Sequence, residues 1–159
     1  MPRCCWQPWA RLPTRWPIRA GCAVVNVNPL YTARELEHQL SDSGAEVIVV
    51  VENFAHTVQE VAAKTKLKHV IVTSIGEMLG FPKGTIVDYV LRHRRKAVPA
   101  WNIPNAVRFG DTLGQGVGLT LEPRPQTLED IAFLQYTGGT TGVSTGAMLT
   151  HRNMVANIL

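Results

Sequence analysis

The segment most able to do chemistry reads Tyr136-Thr137-Gly138-Gly139-Thr140-Thr141-Gly142-Val143-Ser144-Thr145-Gly146-Ala147. Glycines and hydroxyls dominate it, and it holds no carboxylate. That combination suits a chain of phosphates. Backbone N–H groups hold phosphate oxygens well where the chain bends tightly around them. Gly138, Gly139, Gly142 and Gly146 allow the close approach and the positive φ angles that such bends use. Thr137, Thr140, Thr141 and Ser144 add hydroxyls that can reach phosphate oxygens or the ligand shell of a Mg²⁺ ion. Neither a Walker-type Gly-x-x-x-x-Gly-Lys-Ser/Thr loop nor a Gly-x-Gly-x-x-Gly fingerprint can be read here. Composition alone would also allow a mobile linker. The run Ile131 to Tyr136 argues against that, because a strand leading straight into the loop seats it on a rigid edge.

The elements needed to position such a loop are legible upstream. Ala23 to Val27 is a short β-branched run, so a buried strand. Asn28-Pro29 makes a turn, and Thr32-Ala33-Arg34-Glu35 fits a capping box at a helix start. Leu36 and Leu40 share one face of that helix, and Gly44 is placed to close it. Val47 to Val51 is the continuous apolar run of a strand covered on both faces. Phe54 to Lys64 suits a second helix, and His69 to Thr73 a third strand. Strand–helix–strand–helix–strand is the pattern of an α/β fold, with βαβ units building a parallel sheet by right-handed crossovers. Residues Gly76 to Pro125 are less regular, with one helical stretch from Ile86 to Arg95. An apparent linker follows at Glu122 to Pro125. Thr150 is placed to cap a last helix starting near His151.

The first eighteen residues differ from the rest. They hold Trp6, Trp9 and Trp16, Pro2, Pro8, Pro13 and Pro17, and Arg3, Arg11 and Arg15, with no acidic residue. Prolines at this density are expected to forbid a regular helix, and neither a transit peptide nor a secretory signal fits. Residues 1–18 are therefore expected to be an irregular tail outside the fold, with the domain running over 19–159.

Composition narrows the rest. The chain has 159 residues, 45% apolar and 18% charged, the balance of a globular domain. The net charge of +4 and a pI near 9.2 suit an anionic ligand or surface. Cys4, Cys5 and Cys22 have no metal-ligand spacing and are expected to be free thiols in a reducing compartment. None of the five histidines, nor any acidic pair, marks a metal or acid–base site. Arg92-His93-Arg94-Arg95-Lys96 reads most simply as a solvated helix end. Its cations Arg92, Arg94, Arg95 and Lys96 could instead meet anionic lipid head groups. A nucleic-acid partner is not expected.

Tyr136 to Ala147, with Met148-Leu149-Thr150-His151-Arg152-Asn153 after it, resembles the phosphate-binding loop of the AMP-forming acyl-CoA synthetases. Asn26-Val27-Asn28-Pro29-Leu30-Tyr31-Thr32, then Glu35-Leu36, and Gly80-Phe81-Pro82-Lys83-Gly84 are similar to the bacterial long-chain fatty acid–CoA ligases. The resemblance covers Arg19 to Leu159. It implies ATP with Mg²⁺, a fatty acid and coenzyme A as ligands and an acyl-adenylate intermediate. It implies that Tyr136 to Ala147 hold the ATP phosphates. A cytoplasmic location is expected, with peripheral contact at the inner face of the membrane as the alternative role of the basic run. The family's lysine before the last loop glycine is Thr145 here, which removes a positive charge. The family's adenine and ribose contacts and its mobile C-terminal domain have no counterpart before Leu159, so the resemblance implies a fragment with no catalytic residue, inactive by itself. The rival expectation is a binding module that keeps the α/β core without the chemistry.

Overall fold

The computed structural model describes residues 3–6, 15–122, 124–137 and 144–157. Among them the chain order is β1 (Arg3–Trp6), α1 (Arg15–Arg19), β2 (Ala23–Asn26), α2 (Ala33–Ser43), β3 (Val47–Val51) and α3 (Ala55–Ala62). Then come β4 (His69–Thr73), α4 (Lys83–Tyr89), β5 (Val107–Arg108), α5 (Phe109–Gly116), β6 (Ile131–Thr137), β7 (Thr145–Thr150) and α6 (His151–Ala156). The described strands form one sheet in the order β5-β4-β3-β1-β2-β6-β7. Every neighbouring pair is parallel except β6 and β7, which run antiparallel. The α/β class and the βαβ units expected from the periodicity are present.

The burial pattern explains the apolar runs. Val24, Val25, Ile48, Val50 and Val72 are fully enclosed, as strands covered by helices on both faces require. Leu36 and Leu40 of α2 and Val58 and Val61 of α3 pack into the same core cluster. Full burial of each such side chain stabilises the fold by ~1.5–3 kcal/mol. The start of α2 is the expected capping box: Thr32 Oγ accepts from the Glu35 N–H, and the Glu35 carboxylate accepts from the Thr32 N–H. Gly44 ends the helix at φ 59°, a left-handed conformation that a side chain would strain.

The N-terminal expectation is corrected. Residues 3–6 are not outside the fold: β1 lies between β2 and β3, with Cys4 opposite both Val24 and Val47. A parallel ladder recruits backbone groups, so four residues free of proline suffice for a strand whatever their pattern. Nor do the prolines exclude every helix. Pro17 sits in the first turn of α1, where its missing N–H has no intrahelical partner to lose. Ile18 then packs against Val24 and Val49.

Two further differences lie downstream. The helix expected over Ile86 to Arg95 begins earlier, at Lys83, and widens into π-type turns over Val90–Arg94. The irregular stretch before the linker carries β5 and α5, too short for periodicity to reveal.

Candidate functional site

β6 and β7 pair antiparallel, and the glycine-rich segment connects them in sequence. β6 runs parallel to β2, so the chain leaves β6 at the carboxyl edge of the parallel strands, where α/β sheets bind ligands. Tyr136 and Thr137 end β6, Ser144 precedes β7, and Thr145, Gly146 and Ala147 open β7. Gly138, Gly139, Thr140, Thr141, Gly142 and Val143 lie outside the described residues. Thr137 pairs with Thr145 at the mouth of the hairpin, and both are exposed.

The next pair down, Tyr136 and Gly146, carries the packing. Gly146 does not have a positive φ. Its lack of a side chain answers a different need, because a Cβ there would meet Tyr136 Cζ at 2.9 Å and Cε2 at 3.0 Å. The phenol ring thus lies across Gly146, 7% exposed, and donates its hydroxyl proton to Asp42 Oδ2 at 2.5 Å. Tyr136 is thereby turned to the core and to α2 rather than to the mouth. One turn back on α2, His38 Nε2 donates to the Ser144 carbonyl at 3.2 Å. Beneath them, Gln39 Nε2 donates to the Asn26 carbonyl at 2.8 Å, and Asn26 Nδ2 donates to Gln135 Oε1 at 3.2 Å. One helix and the end of β2 therefore hold the base of the hairpin through polar contacts. Past β7, Thr150 caps α6 in a second capping box, with Asn153 Oδ1 accepting from the Thr150 N–H at 3.0 Å.

This base was missed by sequence reasoning. His38 and Asp42 were assigned no role, although their spacing of four on a helix puts both on one face.

The donor set at the mouth fits an anion: hydroxyls at Thr137, Ser144 and Thr145, with Asp42 already accepting from Tyr136. It is less suited to holding a cation by itself. Among the described residues no group of three or more His, Cys, Asp or Glu side chains could hold a metal ion. A Mg²⁺ ion here would arrive with the phosphates, to which it supplies positive charge.

A second polar centre lies at the far side of the sheet. Glu52, its side chain 3% exposed, accepts from Arg92 Nε at 3.1 Å and Nη2 at 2.7 Å, and from Arg108 Nη1 at 3.1 Å. Arg108 also stacks on Trp101, 5.3 Å from the ring centre. The hydrogen bond to Glu52 raises the Arg92 pKa, with burial opposing. Arg92 is thus held to Glu52 although its side chain stays 42% exposed, and Arg94, Arg95 and Lys96 continue the exposed basic run. A cleft of about 480 Å³ beside it is lined by Glu77, Phe81, Asp88, Tyr89 and His93 among others. Its carboxylates are taken up within the fold: Asp88 accepts from Ser74 Oγ at 2.6 Å and the Gly76 N–H at 2.8 Å, and Glu77 from the Gly110 N–H at 2.7 Å. We read that cleft as structural.

A largely parallel sheet with a Gly/Thr-rich connection leaving its carboxyl edge defines a ligand-binding class of α/β domain. More narrowly, the chain belongs to the AMP-binding enzyme family, which it matches over residues 18–159. It is 54% identical over 141 residues to a long-chain-fatty-acid–CoA ligase of Salmonella typhimurium, covering 89% of this chain and 25% of that protein. The same-named protein of Bacillus subtilis is 36% identical over 140 residues, covering 87% and 25%. The chain therefore spans about a quarter of the length of these relatives. Among solved structures, a long-chain-fatty-acid–CoA ligase from Archaeoglobus fulgidus superposes with a TM-score of 0.69 at 26% identity, over 98% of this chain and 26% of that one. The adenylation domain of a carboxylate reductase from Mycobacterium chelonae shares the fold, with a TM-score of 0.70 at 15% identity, over 99% of this chain and 25% of that one.

Proposed function

We propose that this chain supplies the ATP-phosphate loop of an AMP-forming fatty acid–CoA ligase. In that reaction a fatty carboxylate attacks the α-phosphate of ATP, releasing pyrophosphate, and the thiol of coenzyme A then displaces AMP. The hairpin's share is positioning and charge stabilisation, with Mg²⁺ neutralising phosphate charge when bound. The observation that carries the reading is the carboxylate-free Gly/Thr hairpin, anchored at its base and open at its mouth.

Equilibrium dialysis of the 159-residue chain with ATP and Mg²⁺ tests it. Saturable binding that Thr140→Ala/Thr141→Ala weakens is expected; no binding, or binding the double substitution leaves unchanged, overturns the assignment. Pyrophosphate release with a long-chain fatty acid should stay at background for this polypeptide, because Thr145 removes a cation and its relatives are about four times as long. Turnover above background would refute that. The rival, a binding module without chemistry, predicts the same silence but also no acyl-adenylate when the rest of a ligase is supplied.

Contact with a membrane takes a narrower form than the basic run implied, since Arg92 is paired with Glu52. The proposed surface is Arg94, Arg95 and Lys96 with the exposed Phe81, Ile86 and Tyr89, at the cytoplasmic face. Salt-sensitive sedimentation with anionic but not neutral vesicles is the expected result.

A further inference from the structure

We propose that His38 and Asp42 are positioning residues for the phosphate loop, so that α2 sets the geometry of the grip without touching the ligand. The inference rests on the phosphate-loop reading above and adds residues that no part of that reading assigns.

Both strands of the hairpin are tied to the same helical face. Asp42 takes the hydroxyl proton of Tyr136 on the strand that leads into the loop. His38, four residues earlier, donates to the carbonyl of Ser144, just before the strand that leads out. The two anchor points flank Thr137 and Thr145, the pair at the mouth. A hairpin alone fixes its strands relative to each other through ladder hydrogen bonds. It does not fix where the tip points relative to the sheet. The α2 contacts supply that second constraint, and they do so at the one place where Gly146 lets the Tyr136 ring pass over β7 to reach the helix.

The helix is itself firmly seated. Leu36 and Leu40 are buried, Gln39 is wholly enclosed and bonded to Asn26, and both helix ends are capped. His38 and Asp42, by contrast, project from its exposed side. Tyr136 packs in the core cluster, but His38 and Asp42 do not, and removing either side chain leaves the helix's buried face intact. A loop that must hold several phosphates needs its donors fixed before the ligand arrives, because misplacement is costly in binding and in rate.

The test uses the full 159-residue chain. His38→Ala, Asp42→Ala, their double variant and Asp42→Asn are compared with the parent by ATP·Mg²⁺ affinity, amide hydrogen exchange and thermal unfolding. Asn retains an oxygen acceptor for the Tyr136 hydroxyl. We expect Asp42→Ala and the double variant to bind ATP about ten-fold more weakly. Exchange at Thr137 and at Ser144 to Ala147 should rise several-fold, with the unfolding midpoint held to within a few degrees. Asp42→Asn should recover most of the affinity. Affinity and exchange within two-fold of the parent would overturn the proposal, as would a weakening that Asn does not relieve. A parent chain that binds no ATP would defeat the phosphate-loop reading separately. The exchange rates would then still decide whether α2 positions the hairpin.

Discussion

Gly146→Ala should destabilise the fold, although alanine is ordinarily the better residue in a strand. Without a side chain, Gly146 leaves room for the Tyr136 ring. An added Cβ would sit 2.9 Å from Cζ, 3.0 Å from Cε2 and 3.2 Å from the hydroxyl oxygen. Carbon atoms prefer about 3.5–4.0 Å, so the ring must retreat by ~0.5–1 Å. It has little room to do so, being 7% exposed within the core cluster and bonded to Asp42 at 2.5 Å. Overpacking of this kind costs about 1–3 kcal/mol. Losing the bond to Asp42 adds about 1 kcal/mol, below the range of about 1.5–3 kcal/mol for a charged partner because Asp42 is exposed. Against this, replacing glycine restricts the unfolded chain and returns about 0.4–1 kcal/mol. The net expectation is a loss of about 1–3 kcal/mol in a urea unfolding equilibrium. On a Tyr136→Leu background, with the ring gone, the same substitution should be neutral or stabilising. If Gly146→Ala costs as much there as in the parent, the ring is not what excludes a side chain, and the argument fails.

Glu52→Gln should cost about 1–2 kcal/mol by thermal unfolding, below the ~3–5 kcal/mol of a fully buried pair. The discount reflects Arg92 and Arg108, whose side chains are 42% and 44% exposed and can rehydrate; an unchanged midpoint would show the cluster to be inert. Thr32→Ala should cost about 1 kcal/mol through loss of the cap on α2. The Thr32 N–H, and then its hydroxyl, hold the Glu35 carboxyl below its ordinary pKa. That contribution is complete above the unfolded carboxylate pKa and is lost as pH falls through the lowered folded value. An NMR titration should therefore show the Glu35 midpoint rising in Thr32→Ala. Thr145→Lys should tighten ATP binding by about ten-fold or more, the worth of one charge-assisted contact. An unchanged dissociation constant would mean that the position does not face the phosphates.

The parts of the fold legible in the sequence were those with strong local signals. Val47 to Val51 announces itself because a strand covered on both faces needs an unbroken apolar run, and Thr32 to Glu35 because a capping box is a four-residue code. β1 left no such trace. Its place between β2 and β3 depends on backbone groups two crossovers away, and the flanking Pro2 and Pro8 drew attention to what could not form. β7 was equally hidden, since Met148 and Leu149 are only part of a strand whose partner, β6, lies across the loop. At the site, glycine content identified the hairpin but misattributed Gly146, whose cause is a neighbouring ring rather than a backbone angle. Arg92 read as a free surface cation because its partner, Glu52, is forty residues away.

Taken with the hairpin geometry, Thr145 separates two questions that the glycine run alone merges. Anchoring depends on Tyr136, Gly146, Asp42, His38 and Ser144, all of which are in place. Charge at the mouth depends on position 145, where this chain has Thr145, a neutral hydroxyl on an exposed strand residue. A lost anchor would misplace every donor in the loop at once, whereas a lost cation removes one contact and leaves the backbone donors where they were. This chain has the contacts at the hairpin's base and no cation at position 145. The physics therefore predicts that, in the proposed phosphate loop, Thr145 holds a triphosphate less tightly than a lysine there would.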